Sequence, residues 1–91
     1  MAAVRVVISG RVQGVGFRAF VERQAHMRGV RGWVRNRRNG TVEALFIGDE
    51  SALRDIETSC RRGPSLAAVS RLDRFDATDD GSEGFEARPT E

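Results

Sequence analysis

The dipeptide Asn39-Gly40 constrains this chain more than any other pair of residues. It stands between two strand-like runs, residues 30–36 (VRGWVRN) and 41–47 (TVEALFI). Asn-Gly suits a tight turn whose two central residues both take positive φ, so the two runs are expected to fold back on each other as an antiparallel hairpin. Every other element has to be arranged around that hairpin.

Upstream, Val4, Val6 and Ile8 alternate with Arg5, Val7 and Ser9, the pattern of a strand with both faces largely covered. Phe17, Phe20, Val21 and Ala25 then recur at helical spacing, and the helix is expected to end near Gly29. Downstream, Asp49 is the expected N-cap of a second helix. Leu53, Ile56 and Cys60 form its apolar stripe, and Gly63-Pro64 stops it. Residues 67–75 (AAVSRLDRF) read as a less regular strand, 79–82 (DDGS) as a turn, and 84–88 (GFEAR) as a short final strand. The order β-α-β-β-α-β plus a short strand predicts an α+β, ferredoxin-like sandwich. Its antiparallel sheet carries both helices on one face, with a short extra C-terminal strand. No repeat or linker divides the chain, so residues 1–91 are read as a single domain. Such a plan fixes no function.

Composition excludes several chemistries. A chain of 91 residues that is 40% hydrophobic can bury one modest core. Cys60 is the only cysteine and His26 the only histidine, so neither an internal disulfide nor a metal cluster of standard spacing is expected. All fifteen cationic side chains are arginine, which rules out a lysine Schiff base and the lysine of a nucleotide-binding phosphate loop. No apolar segment approaches membrane-spanning length and the first residues carry no signal-peptide pattern, so a cytoplasmic protein is expected. The net charge of +2 conceals an uneven distribution. Residues 1–40 hold nine arginines and one acid (9 − 1 = +8), and residues 41–91 hold six arginines and twelve acids (6 − 12 = −6). Either an anionic partner faces the first half, or the two halves interleave and neutralise each other; the charge pattern leaves both open.

The chemistry concentrates between the first strand and the first helix. Gly10, Gly14 and Gly16 allow backbone angles closed to other residues and close approach of a ligand. Successive N–H groups in such a turn can form a concave nest for an anion, and the helix start adds unpaired N–H groups and the positive end of its dipole. The spacing matches neither the Walker loop nor G-x-G-x-x-G, so no nucleotide is implied. By pattern alone, such glycines more often make only a tight turn. Arg18 lies where the dipole favours an acid. With an anion in the nest, its planar fork would grip two phosphate oxygens. Without one, it would form a surface pair with Glu22, worth about 0.3–0.5 kcal/mol, and the two readings compete evenly.

Asn36 sits near the end of its strand, where asparagine is disfavoured. It serves either the hairpin turn or an amide that holds a water by donating and accepting together. Trp33 is expected on the same face as Asn36, packed in the core. His26 is expected on the helix surface and Cys60 on a buried helix face, both without chemistry. Arg37 and Arg38 read as a solvated hairpin tip.

GRVQGVGFR (residues 10–18), together with GWVRN (32–36) and GTVE (40–43), closely resembles the acylphosphatases; Gly63-Pro64 and Phe85 also fit, and the resemblance spans essentially the whole chain. It implies a small ferredoxin-like enzyme that hydrolyses the carboxyl–phosphate bond of acyl phosphates, releasing a carboxylate and inorganic phosphate without metal or cofactor. By the same resemblance, Arg18 matches the phosphate-binding arginine and Asn36 the asparagine that orients the attacking water. Arg11, Val12, Gln13, Gly14, Val15, Gly16 and Phe17 match the phosphate cradle. The departures are mild: Gly16 stands where some relatives have cysteine, and Asn39 where aspartate is also common. The implied partners are a small acyl phosphate and inorganic phosphate, with no nucleic acid, no membrane and a monomeric state. Two rivals use the same element order: a non-catalytic phosphate- or anion-binding module, and an RNA-binding module. The latter needs aromatic side chains displayed on central strands, and the third strand offers only Phe46, expected to face the core.

Overall fold

Period-two alternation in the first strand sorts its side chains by face. In the computed structural model, which describes residues 1–91, the elements are β1 (Ala2–Arg11), α1 (Phe17–Arg28), β2 (Arg31–Asn36), β3 (Val42–Gly48), α2 (Glu50–Arg62), β4 (Ala68–Asp76) and β5 (Phe85–Arg88). Val4, Val6 and Ile8 of β1 are buried beneath the helices, joined by Val34, Ala44 and Phe46 from the neighbouring strands. Phe17, Val21 and Ala25 of α1 and Leu53, Ile56 and Cys60 of α2 close over them, so both helices cover one face of the sheet. Each of the Val, Ile, Leu and Phe side chains contributes about 1.5–3 kcal/mol on burial. Burial also pushes the Cys60 thiol up to about 12, which keeps it neutral and unreactive at neutral pH. No helix is long and apolar enough to cross a membrane.

The strand order is β4-β1-β3-β2-β5, and the three pairings among β4, β1, β3 and β2 are antiparallel, as the ferredoxin-like plan requires. The short fifth strand differs from an all-antiparallel expectation. It pairs with β2 in parallel, from Gly32↔Phe85 to Arg35↔Arg88, and makes the sheet mixed. The reason is directional. β4 finishes at the same end of the strands at which β2 begins, so a strand entered from there runs alongside β2 in the same sense. Arg31 holds the crossing segment through the Ser82 carbonyl and Asp79, and Trp33 Nε1 donates to Asp80 at 3.2 Å.

The hairpin forms where expected, but its turn differs. No residue other than glycine has positive φ, so Asn39 does not occupy a left-handed position; Gly40 alone does, at φ 92°. The Arg37 N–H donates to the Thr41 carbonyl (2.8 Å) and the Gly40 N–H to that of Arg37 (3.1 Å). The loop is therefore residues 38–40, a three-residue turn closed by a left-handed glycine. Asn39 serves it by accepting from the Thr41 N–H and hydroxyl.

Trp33 also departs from expectation. It lies three positions before Asn36, an odd spacing, so strand alternation turns the two to opposite faces. Trp33 lies on the face away from the helices, in a small cluster with Leu45 and Ile47. Arg35 and Arg88 stack over its ring at 4.7 and 5.2 Å. On the same face Glu43, only 8% exposed, accepts from Arg5 (2.8 Å), Arg35 (2.9 Å) and Arg37 (3.2 Å). Arg37 is thus half-buried against a carboxylate, while Arg38 is the solvated tip. Arg31 and Arg35 reach Asp79 and Glu91 in the same way, so acids of the second half neutralise arginines of the first.

Glu43 carries a testable consequence. Burial raises its pKa, but hydrogen bonds from Arg35 and Arg5, with the charges of Arg35 and Arg37, outweigh that and hold it below its usual 4.5. A depressed folded-state pKa stabilises the protein above the unfolded value, and that contribution is lost as pH falls through the folded value. Glu43→Gln is expected to cost about 2 kcal/mol near neutral pH, because it leaves three guanidinium groups short of a counter-charge. The gap from wild type should narrow as pH falls below 4.5 and on through the lowered folded-state value, where wild type also loses the charge. Urea unfolding at neutral and at acidic pH checks this; an equal gap at both contradicts the assignment.

Candidate active site

The segment joining β1 to α1 turns on two left-handed glycines, Gly14 (φ 73°) and Gly16 (φ 78°). A Cβ at either position would meet nothing within 4 Å, so φ itself, not space, favours glycine here. Gly16 is also the N-cap of α1, and its carbonyl accepts the Phe20 N–H at 3.0 Å. The backbone N–H groups of residues 13–19 donate no hydrogen bond within the protein. No acidic residue occupies the first turn. A run of unpartnered donors therefore gathers at the positive end of the helix, an arrangement that suits a phosphoryl group.

These donors border an open cleft of about 440 Å³. Val12, Gly14, Gly16 and Phe17 line it from the loop, Arg18 from the helix, and Asn36 from the end of β2. Arg18 is half-buried, and its Nη1 donates to the Arg88 carbonyl at 3.3 Å. It forms no ion pair with Glu22, so the surface-pair alternative is not what the fold adopts. The backbone of β5 anchors one corner of the guanidinium, and its remaining N–H groups have no protein partner. Asn36 shares the helix-facing side of β2 with Val34. Its backbone carbonyl accepts from the Glu91 N–H (3.1 Å), while its side-chain amide makes no hydrogen bond within the protein. Turn chemistry is supplied by Asn39, which leaves the Asn36 amide available to the cleft.

The remaining loop residues divide by side chain. Val12 and Phe17 are each 1% exposed, so their side chains belong to the core and only their backbone faces the cleft. Val15 packs partly buried against that core and does not line the cleft. Arg11 is exposed at the end of β1, paired through its backbone with Ala68, and also lies outside the lining. Gln13 turns to the hairpin, where Nε2 donates to the carbonyls of Arg37 (2.7 Å) and Thr41 (2.9 Å). Its side chain is a strut that ties the glycine loop to the chain beside Asn36. No local pattern reveals this tie, because its partners lie 24 and 28 residues away. Sequence reasoning likewise missed the Arg88 carbonyl and Ala87, which reach the site only through the placement of β5. His26 is exposed, its Nε2 is 3.1 Å from the Phe85 carbonyl oxygen, and it does not line the cleft.

Comparison with known proteins points one way. The acylphosphatase family model matches residues 4–87. An acylphosphatase of Rhodopseudomonas palustris (strain BisB18) is 59% identical over 69 residues, covering 76% of this chain and 70% of that one. An acylphosphatase of Acidiphilium cryptum (strain JF-5) is 44% identical over 90 residues, 99% of each chain. Among solved structures, acylphosphatase from Bacillus subtilis superposes with a TM-score of 0.94 at 36% identity, covering 97% of this chain and 99% of its own.

Proposed function

The chain belongs to the acylphosphatase family, enzymes that hydrolyse acyl phosphates, and on that premise we propose which of its residues do the work. Arg18 and the loop amides hold the phosphoryl group, and Asn36 holds the attacking water. One observation supports the reading above the others: Arg18, Asn36 and the left-handed glycines line a single cleft, and the Asn36 amide and loop N–H groups have no partner in the protein.

The chemistry asks little else of the protein. An acyl phosphate already carries a good leaving group, so the enzyme must position the phosphoryl group, neutralise charge on its oxygens and place a water in line. The amides of residues 13–19 supply fixed dipoles, and Arg18 supplies a full charge in a planar fork. Neutral asparagine is a poor base. The water oxygen attacks phosphorus, the P–O bond to the acyl group breaks, and the carboxylate leaves with the electron pair. The water's proton passes to a phosphate oxygen of the substrate itself. No metal or cofactor is needed in this scheme, and inorganic phosphate is the second product.

The whole chain, residues 1–91, is read as one such domain, monomeric and cytoplasmic. A nucleic acid partner is not part of the proposal. Phe46 of the central strand β3 faces the core, and several arginines of the first half are already bound by acids. Hydrolysis of benzoyl phosphate tests the reading. Activity is expected to be unchanged by a chelator and by His26→Ala. Chelator-sensitive turnover would overturn the metal-free scheme, a large loss in His26→Ala would overturn the route for the proton, and absence of turnover would overturn the whole assignment.

A further inference from the structure

Glu22 stands in the wall of the same cleft, one helical turn beyond Arg18 and three residues beyond Ala19. It is half-buried and takes part in no ion pair. Arg18 is directed to the Arg88 carbonyl instead. The Arg88 guanidinium lies over Trp33, on the other side of the sheet, and is held by Glu86 at 2.9 Å. The carboxylate of Glu22 is thus without a cationic partner in a site whose other features suit an anion.

We propose that Glu22 is a specificity-determining residue that disfavours acyl phosphates whose acyl part carries a second negative charge. The inference rests on the cleft being the acyl phosphate site. Repulsion between Glu22 and the phosphoryl group is common to all such substrates; only the acyl part differs between them. With the phosphoryl group held by the loop amides and Arg18, the acyl part occupies the rest of the cleft. The walls left to it are small and uncharged, Ala19 and Ala87, apart from Glu22. Arg18 and Glu22 are the only charged residues in the lining, and Arg18 is committed to phosphate. An acyl carboxylate bound within this cleft of about 440 Å³ shares it with Glu22. A Debye length is about 10 Å at 0.1 M salt, so two charges that share one small cleft are only partly screened from each other. At such distances near a protein surface, two like charges change an equilibrium by a few-fold.

The test compares kcat/KM for benzoyl phosphate with that for succinyl phosphate, whose acyl part ends in a carboxylate. In Glu22→Gln the benzoyl-to-succinyl ratio is expected to fall three- to tenfold, and in Glu22→Arg further, with folding checked by circular dichroism. In wild type the ratio should fall as salt rises from low concentration to about 0.5 M, since the repulsion is screened. The net charge of +2 would drive the salt effect in the opposite sense, so the sign is diagnostic. The salt titration decides the matter if the variants do not fold. A ratio that stays constant or rises in folded variants overturns the proposal, as does a wild-type ratio that does not fall with salt. Loss of both activities in folded Glu22→Gln also overturns it, because Glu22 would then act in the chemistry. If wild type hydrolyses neither substrate, it is the functional reading that fails; if it hydrolyses both with a ratio indifferent to Glu22, only the selectivity inference does.

Discussion

Arg18→Lys is expected to lower kcat/KM for benzoyl phosphate by about a hundredfold, close to 3 kcal/mol of lost transition-state stabilisation. The size follows from geometry. In the native protein one N–H of the guanidinium is donated to the Arg88 carbonyl, and the rest of the planar fork is directed to the cleft. An ammonium is a point charge on a flexible stem and cannot keep that anchor while presenting two parallel donors to phosphate. Charge-assisted hydrogen bonds contribute about 1.5–3 kcal/mol each, so losing one or two accounts for the factor. Steady-state kinetics with a calorimetric titration of inorganic phosphate would check it. Phosphate binding should weaken in step with KM; near-native constants in the lysine variant would sink the role given to Arg18.

Asn36→Ala is expected to act on the other half of the reaction. Its kcat should drop by at least about a hundredfold, the usual consequence of a misplaced nucleophile, while the Kd for inorganic phosphate changes by less than about threefold. The Asn36 side chain makes no hydrogen bond within the protein, so its truncation breaks no native contact of that kind, and the thermal midpoint should hardly move. A fall in phosphate affinity that tracks kcat would make Asn36 a binding residue instead of a water-positioner. The two variants thus separate binding from water placement.

The elements of the fold were legible because each is written in short-range periodicity. Val4, Val6 and Ile8 alternate, Phe17, Val21 and Ala25 recur at helical spacing, and Gly63 ends α2, and each of these is where the pattern predicts. The three-residue hairpin loop was not legible, since Asn-Gly fits more than one turn and only strand register, Asn36↔Val42, decides between them. The face of Trp33 was within reach, because strand parity alone gives it. For the site, the glycine loop and Arg18 stood out locally, whereas the role of Gln13 did not, its two acceptors lying across the hairpin.

The contest between an anion and Glu22 for Arg18 shows where local information ends. Sequence spacing puts Glu22 within reach of Arg18 on one helix face, and from that alone the pair is as plausible as a ligand. Local pattern therefore sufficed for the strands, the helices and the existence of a donor-rich turn, because hydrogen bonds and burial within an element depend on neighbours a few residues away. What the tertiary structure decided is which groups meet at that turn. β5, some seventy residues beyond Arg18, lies parallel to β2 and presents the Arg88 carbonyl to the guanidinium. The same sheet brings Asn36 to the cleft wall and leaves Glu22 there unpaired. These contacts join segments far apart in the chain, and their geometry is set by sheet order and crossover direction, which no short window of residues encodes.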